Sequence, residues 1–219
     1  MAGEVHVLGE RNSLLGQFLG EIRDQEIQLD GMRFRRNIER IGEIMAYEIS
    51  KTLNYQTASV TTSLGKAECS LLKSQPVLAT ILRAGLPLHQ GLLNYFDKAE
   101  NAFISAYRKH EGDEAHFEVE IEYLSSPPVD DKTVILCDPM LASGSSMVLA
   151  WKALLERGTP RDLHVAVVIA SREGVQFARE QLPPDTTFWV AAVDPTMTSR
   201  KYIVPGLGDA GDLAYGAKE

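Results

Sequence analysis

The stretch TVILCDPMLASGSSMVLAWKALLERG (residues 133–158) sets an acid, a run of hydroxyl-bearing small residues and a helix start in close succession. A β-branched apolar run ends at Asp138, Pro139 to Ala142 lead away from it, and Ser143, Gly144, Ser145 and Ser146 follow. Val148, Trp151 and Leu155 then fall on one face of a helix that begins near Ser146. Strand, small-residue loop and helix N-terminus together turn backbone N–H groups and the positive end of a helix dipole toward an anion. The serine hydroxyls add donors, and Gly144 lets a ligand approach the backbone. A Ser/Gly cluster alone is more often a simple helix cap. The acid at the end of a buried strand, where open α/β sheets place ligands, moves the reading toward a site.

Two arginines stand in comparable places. TILRAGLPLHQG (80–91) puts Arg83 just past one apolar strand, and AYRK puts Arg108 and Lys109 past another. Each alone is an ordinary surface charge; together at neighbouring strand ends their planar forks would rim an anion site. YIVPGLGDAGD (202–212) contains G-x-G-x-x-G at Gly206, Gly208 and Gly211. A dinucleotide fingerprint needs a following helix and an acid about 20 positions on, which the residues up to Glu219 do not supply. What remains is a glycine-rich loop carrying Asp209 and Asp212, able to press its backbone against a flat ligand. G-x-x-x-x-G-K-[ST] and G-x-S-x-G are absent, so nucleotide hydrolases and serine hydrolases lack their signatures. His6, His89, His110, His116 and His164 have no metal-ligand spacing. His89 reads as packed or solvated within a helix, Cys137 as a buried inert thiol, Trp151 and Trp189 as core, and Asp194–Pro195 as a turn.

The elements needed to hold these groups are legible in the rhythm of apolar residues. Leu14, Leu15, Phe18, Leu19 and Ile22 predict one helix with Asn12 or Ser13 as its cap. Phe34, Ile38, Ile41, Met45 and Ile49 predict a second. From residue 77, strands at 77–82, 102–107, 133–137, 164–170 and 188–193 alternate with helices near 86–96, 146–156 and 174–181. That alternation predicts an α/β fold with a mostly parallel central sheet flanked by helices. HFEVEIEYL alternates strictly, as a half-exposed antiparallel strand does, so it pairs with the strand before it as a flap at about 105–124. The polar KHEGDEAH (109–116) suits a mobile loop at its tip. The expected organisation is a single domain over 1–219. Its parts are a helical extension (1–76), an anion-binding core (77–200) and a glycine-rich terminal loop (201–219).

Composition bounds the rest. The 219 residues are 44% hydrophobic and 24% charged, ordinary globular usage. No apolar run approaches the ~18 residues of a membrane span. MAGEVHVLGER lacks the basic-then-apolar pattern of a secretory signal, and two cysteines make no disulfide framework, so a reducing cytoplasm is expected. With 22 Lys+Arg against 30 Asp+Glu the net charge is −8, which argues against a general nucleic-acid binder. A small anion can still bind where donors are local.

Taken together, these motifs resemble the uracil phosphoribosyltransferase family, from about Phe34 to Gly216 and in the same order. CDPMLASGSS is similar to the family's loop for phosphoribosyl pyrophosphate (PRPP), usually DPMLATGGS. YIVPGLGDAGD resembles its uracil loop, ILRAGLP and YR its pyrophosphate-side arginines, and FRRNIERIGEIMAYE its helical start. The resemblance implies a type I phosphoribosyltransferase fold and PRPP binding by Arg83, Arg108, Asp209 and the run Asp138, Pro139, Met140, Leu141, Ala142, Ser143, Gly144, Ser145 and Ser146. It implies uracil contacts from Ile203, Gly208, Asp209 and Ala210, with Asp138, Arg108 and Asp209 closest to the chemistry. It further implies Mg²⁺ held through PRPP and water, with no direct protein metal site, a homodimer or larger assembly, and GTP as an activator. Ser143 keeps the usual threonine hydroxyl. Ser145 adds a Cβ where glycine is usual, which questions any glycine-only backbone angle there. The alternatives are a PRPP- or UMP-sensing RNA regulator of the same fold, which predicts a basic face, and an enzyme for another base such as hypoxanthine or orotate. The acidic composition weakens the first, and the terminal loop weakens both.

Overall fold

The computed structural model of the chain describes residues 3–110 and 117–217. Its elements in chain order are β1 (Val5–Val7), α1 (Leu14–Arg23), α2 (Gly31–Ser50), β2 (Tyr55–Thr62), β3 (Gly65–Leu72), β4 (Val77–Leu82) and α3 (Leu86–Leu93). There follow β5 (Glu100–His110), β6 (Phe117–Ser125), β7 (Thr133–Leu141), α4 (Ser145–Leu154), β8 (Asp162–Ser171) and α5 (Arg172–Gln181). The chain closes with β9 (Thr187–Asp194), β10 (Thr196–Met197), β11 (Ile203–Val204) and α6 (Ala210–Tyr215).

Seven strands form one sheet in the order β1-β9-β8-β7-β4-β5-β6. All its neighbours are parallel except β5 and β6. Alternate residues of each central strand serve opposite faces. Ile135 and Cys137 of β7 join the core under α1, α2 and α3, whereas Val134 and Leu136 join the core under α4 and α5. The continuous apolar run at 165–170 is explained by this two-sided burial. The fold is therefore the expected mostly parallel sheet with helices on both faces.

The helical stripes pack as their spacing predicts: Phe34, Ile38, Ile41, Met45 and Ile49 of α2 are all buried. Ser13 is the cap of α1, its Oγ accepting from Leu15 N. The flap exists as an antiparallel pair, running in register from Phe103 opposite Ser125 to His110 opposite Phe117 with a bulge after Ser105. The loop expectation for 109–116 falls in large part on 111–116, outside the described residues.

Residues 1–76 are not purely helical. β1 adds an edge strand to the sheet, with His6 stacked 4.3 Å from Trp189, whose Nε1 donates to His164 Nδ1 at 3.2 Å. Burial pushes His164 down to about 4, so that imidazole is neutral and structural. β2 and β3 form a separate hairpin, paired from Tyr55–Leu72 to Thr62–Gly65. Its side chains are largely exposed, so it lacks the in-and-out apolar alternation by which the other strands are recognised.

Candidate active site

Sheet order reverses between β4 and β7: the chain continues from β4 outward to β5 on one side, and from β7 outward to β8 and β9 on the other. Such a switch point opens a crevice at the carboxyl ends of the strands. A cleft of about 430 Å³ lies there, walled by Ile81 and Leu82 of β4, by Asp138 to Gly144 without Pro139, by Ser146, and by Gly208 to Gly211.

The small-residue loop meets its local requirements at Gly144. That residue adopts φ +83°, and a Cβ on it would come within 3.0 Å of Phe177 and 3.1 Å of the Gly174 carbonyl. Ser145 is already the first residue of α4 and has no positive φ, so glycine is not needed there. Ser143 Oγ accepts from Ser145 N at 3.4 Å and lies 3.2 Å from Ser145 Oγ. The next residues of the first helical turn, Ser146 and Met147, have amides with no acceptor within the helix, and both residues line the cleft. Ser171, at the end of β8, braces the loop from behind: its Oγ donates to Ala142 O at 2.6 Å and accepts from Gly174 N at 2.8 Å.

Two carboxylates share the cleft. Asp138 accepts from Met140 N at 3.3 Å. Burial is the main cause that pushes its carboxyl up to about 7; the Met140 N–H opposes the shift, and the nearby Asp209 charge adds to it. Asp209 caps α6, its Oδ1 accepting from Gly211 N at 2.8 Å and Asp212 N at 3.0 Å, which commits one oxygen and spares the other. Cys137, beside Asp138, is fully buried with its thiol pushed up to about 12, chiefly by burial, and is inert as expected.

On the opposite wall, the turn between β10 and β11 is tied by Thr198 N–H donating to Tyr202 O at 2.8 Å and Lys201 N–H to Thr198 O at 2.9 Å. It brings Arg200, Lys201 and Tyr202 to the cleft beside Ile203. Sequence reasoning passed over Arg200 and Lys201, although two cations directly before YIVPG were a visible signal. Asp194, expected to be only a turn residue, is instead a buried carboxylate paired with Arg23 of α1 at 2.7 Å.

Of the residues singled out in the sequence, Asp138, Met140, Leu141, Ala142, Ser143, Gly144, Ser146, Ile203, Gly208, Asp209 and Ala210 line this one cleft. Pro139, within β7, and Ser145, the first residue of α4, belong to the same run but not to the cleft wall. Arg83 follows a cis peptide at Leu82 and sits between two wall residues. Its Nη2 donates to Gly216 O at 3.1 Å and lies 3.6 Å from Asp212. Arg108 is placed only by its backbone, in β5 opposite Val119.

A sequence model described as uracil phosphoribosyltransferase matches residues 10–217. The chain is 59% identical to the uracil phosphoribosyltransferase of Porphyromonas gingivalis over 98% of its own length and 99% of that protein. It is 37% identical to the one from Thermococcus gammatolerans, over 95% and 92%. Among solved structures, the AQ2163 protein from Aquifex aeolicus superposes with a TM-score of 0.85 at 27% identity, covering 97% of this chain and 98% of that one. A hypoxanthine phosphoribosyltransferase from Staphylococcus aureus shares the fold more distantly, with a TM-score of 0.50 at 15% identity over 74% and 76%. With the family match spanning nearly all of its length and these identities behind it, the chain belongs to the uracil phosphoribosyltransferase family.

Proposed function

We propose that this chain transfers the phosphoribosyl group of PRPP to N1 of uracil, giving UMP and diphosphate in pyrimidine salvage. The observation that carries the reading is the meeting of the serine loop after Asp138 with the glycine loop at 203–211 across one cleft at the switch point. In this reading Met140 to Ser146 hold the 5′-phosphate through backbone amides and hydroxyls. Asp138 faces the ribose hydroxyls. Its carboxyl, pushed up to about 7 chiefly by burial, stabilises in its ionised form the oxocarbenium character of the transition state. Backbone groups of Ile203, Gly208, Asp209 and Ala210 read the imide edge of uracil, which cytosine would leave mispaired.

Arg83 and Arg108 take the departing diphosphate. For Arg83 this means exchanging Gly216 O and the longer pairing with Asp212 for phosphate oxygens. Asp209 offers its spare oxygen to PRPP and its hydrated metal. Mg²⁺ suits this cleft because two carboxylates, Asp138 and Asp209, face it, and such a cation keeps several waters and binds largely through substrate phosphates. Such a cation supplies charge neutralisation for the leaving group.

The proposal extends to a single catalytic unit in which 77–200 binds PRPP, 201–219 binds uracil and 1–76 supports both. It also includes a homodimer or larger assembly, GTP as activator and a cytoplasmic setting. Among the described residues, no helix is long and apolar enough to cross a membrane.

The test is product formation with PRPP, Mg²⁺ and, separately, uracil, cytosine, hypoxanthine or orotate. Uracil alone should give nucleotide at an appreciable rate; a preference for another base would overturn the specificity. Arg108→Ala and Asp209→Asn should each lower kcat on the order of 10²-fold with the melting temperature within a few degrees, the scale of losing a transition-state charge contact. Near-normal turnover in either would remove that residue's role.

A further inference from the structure

We infer that Arg23 and Asp194 form a clamp that fixes the base-binding loop at Gly206 and thereby sets the affinity for uracil. The inference rests on the reading of 203–210 as the uracil-binding segment. Neither side chain reaches the cleft wall, so both are positioning residues.

The geometry closes on itself. Arg23, the last residue of α1, donates from Nη2 to Asp194 Oδ1 at 2.7 Å and from Nη1 to Asp194 Oδ2 at 2.8 Å. The same Nη1 donates to Gly206 O at 2.8 Å, and Gly206 N–H donates to Asp194 Oδ2 at 2.8 Å. Both backbone polar groups of Gly206 are thus held by one ion pair, drawn from residues 171 positions apart in the chain. Asp194 is 5% exposed. Gly206 has φ +61°, and a Cβ there would run into the Ile203 carbonyl, so this backbone conformation needs both glycine and an external hold.

A second fastener lies beside the first. The Gln28 amide nitrogen, in the orientation its two carbonyl neighbours require, donates to Leu207 O at 2.8 Å and Ile22 O at 3.1 Å. Gly208, the next residue along, is on the cleft wall with φ +95°. The end of α1 and the segment just after it therefore hold the loop between Ile203 and Gly208, both among the groups proposed to touch the base. Only a guanidinium fork can span the carboxylate and the Gly206 carbonyl together; a lysine ammonium retains the charge but not the fork. Small displacements of positioning groups weigh heavily on substrate binding.

The test uses Arg23→Lys, Arg23→Ala and Asp194→Asn in the full chain, each read in two ways. Hydrogen exchange of the 203–208 amides without ligand should quicken in all three variants, while exchange in α2 and β8 stays at the parental rate. In steady state the KM for uracil should rise about tenfold in all three, with the KM for PRPP within about twofold. Arg23→Lys should recover melting temperature relative to Arg23→Ala without recovering uracil KM. The clamp is overturned by unchanged exchange at 203–208, by full recovery of uracil KM in Arg23→Lys, or by both KM values rising together with a fall in melting temperature. Because the exchange readout needs no substrate, a parent that failed to convert uracil would refute the substrate reading while the clamp stood or fell on exchange alone.

Discussion

At the scale of single residues, the site combines groups whose types announce themselves with groups whose roles depend on packing. Asp138 could be picked out in the sequence because an acid ending a β-branched run is unusual. Its altered acidity could not, since that comes from burial and from Asp209, a residue 71 positions away that only folding brings near. The shift has a stability consequence. A carboxyl whose folded value lies above its ordinary one binds more protons folded than unfolded, so stability is fully present below about pH 4 and falls as pH rises toward 7. Asp138→Asn removes that penalty. The variant should melt roughly 10 °C above the parent at pH 8 and level with it at pH 4, on the scale of ~1.4 kcal/mol per pKa unit and ~2–4 °C per kcal/mol for a chain of this size. A constant offset at both pH values in thermal melts would contradict the assignment. Ser145 shows the converse limit of reading residues one by one: its departure from glycine looked costly, yet the positive φ belongs to Gly144. Asp194 looked like a turn because its partner Arg23 lies 171 residues away.

Among the elements, those with a long apolar stripe were legible, whereas the short helix α6, which follows the glycines of the terminal loop and buries Ala210, Gly211 and Ala214, was missed along with the exposed or very short strands. The central strands and helices α1 to α5 write their burial into apolar periodicity. The β2–β3 hairpin exposes both faces, and the two-residue strands β10 and β11 are too short to carry a period. Placement of the proposed phosphate loop is also an element-level matter, because Ser171 joins β8 to the loop after β7 through Ala142 O while capping α5 through Gly174 N. Ser171→Ala should therefore cost roughly 1–2 kcal/mol of stability in denaturant unfolding, the worth of a cap plus a lost bond to a half-buried carbonyl. It should also raise the KM for PRPP more than that for uracil. Equal effects on both substrates would show that the brace does not act on the phosphate loop selectively.

For the whole molecule, sheet order explains how an acidic chain can bind a polyanion. The net charge of −8 discourages broad contact with phosphate backbones, whereas the switch point between β4 and β7 gathers amides, hydroxyls, Arg200 and Lys201 at one crevice. Charge at long range and donors at short range act on different scales. Because both walls must close around one ligand, binding should be felt globally: PRPP with Mg²⁺ at about a hundredfold over Kd should raise the melting temperature by roughly 5–10 °C, from about 2.7 kcal/mol of linkage. An unmoved melting curve under those conditions would contradict a preformed cleft. The most direct measurement is the reaction itself, with labelled uracil, PRPP and Mg²⁺ and purified protein. UMP and diphosphate should appear in equal amounts, with PRPP consumed only as fast as uracil; no UMP, or diphosphate released without it, would contradict the account.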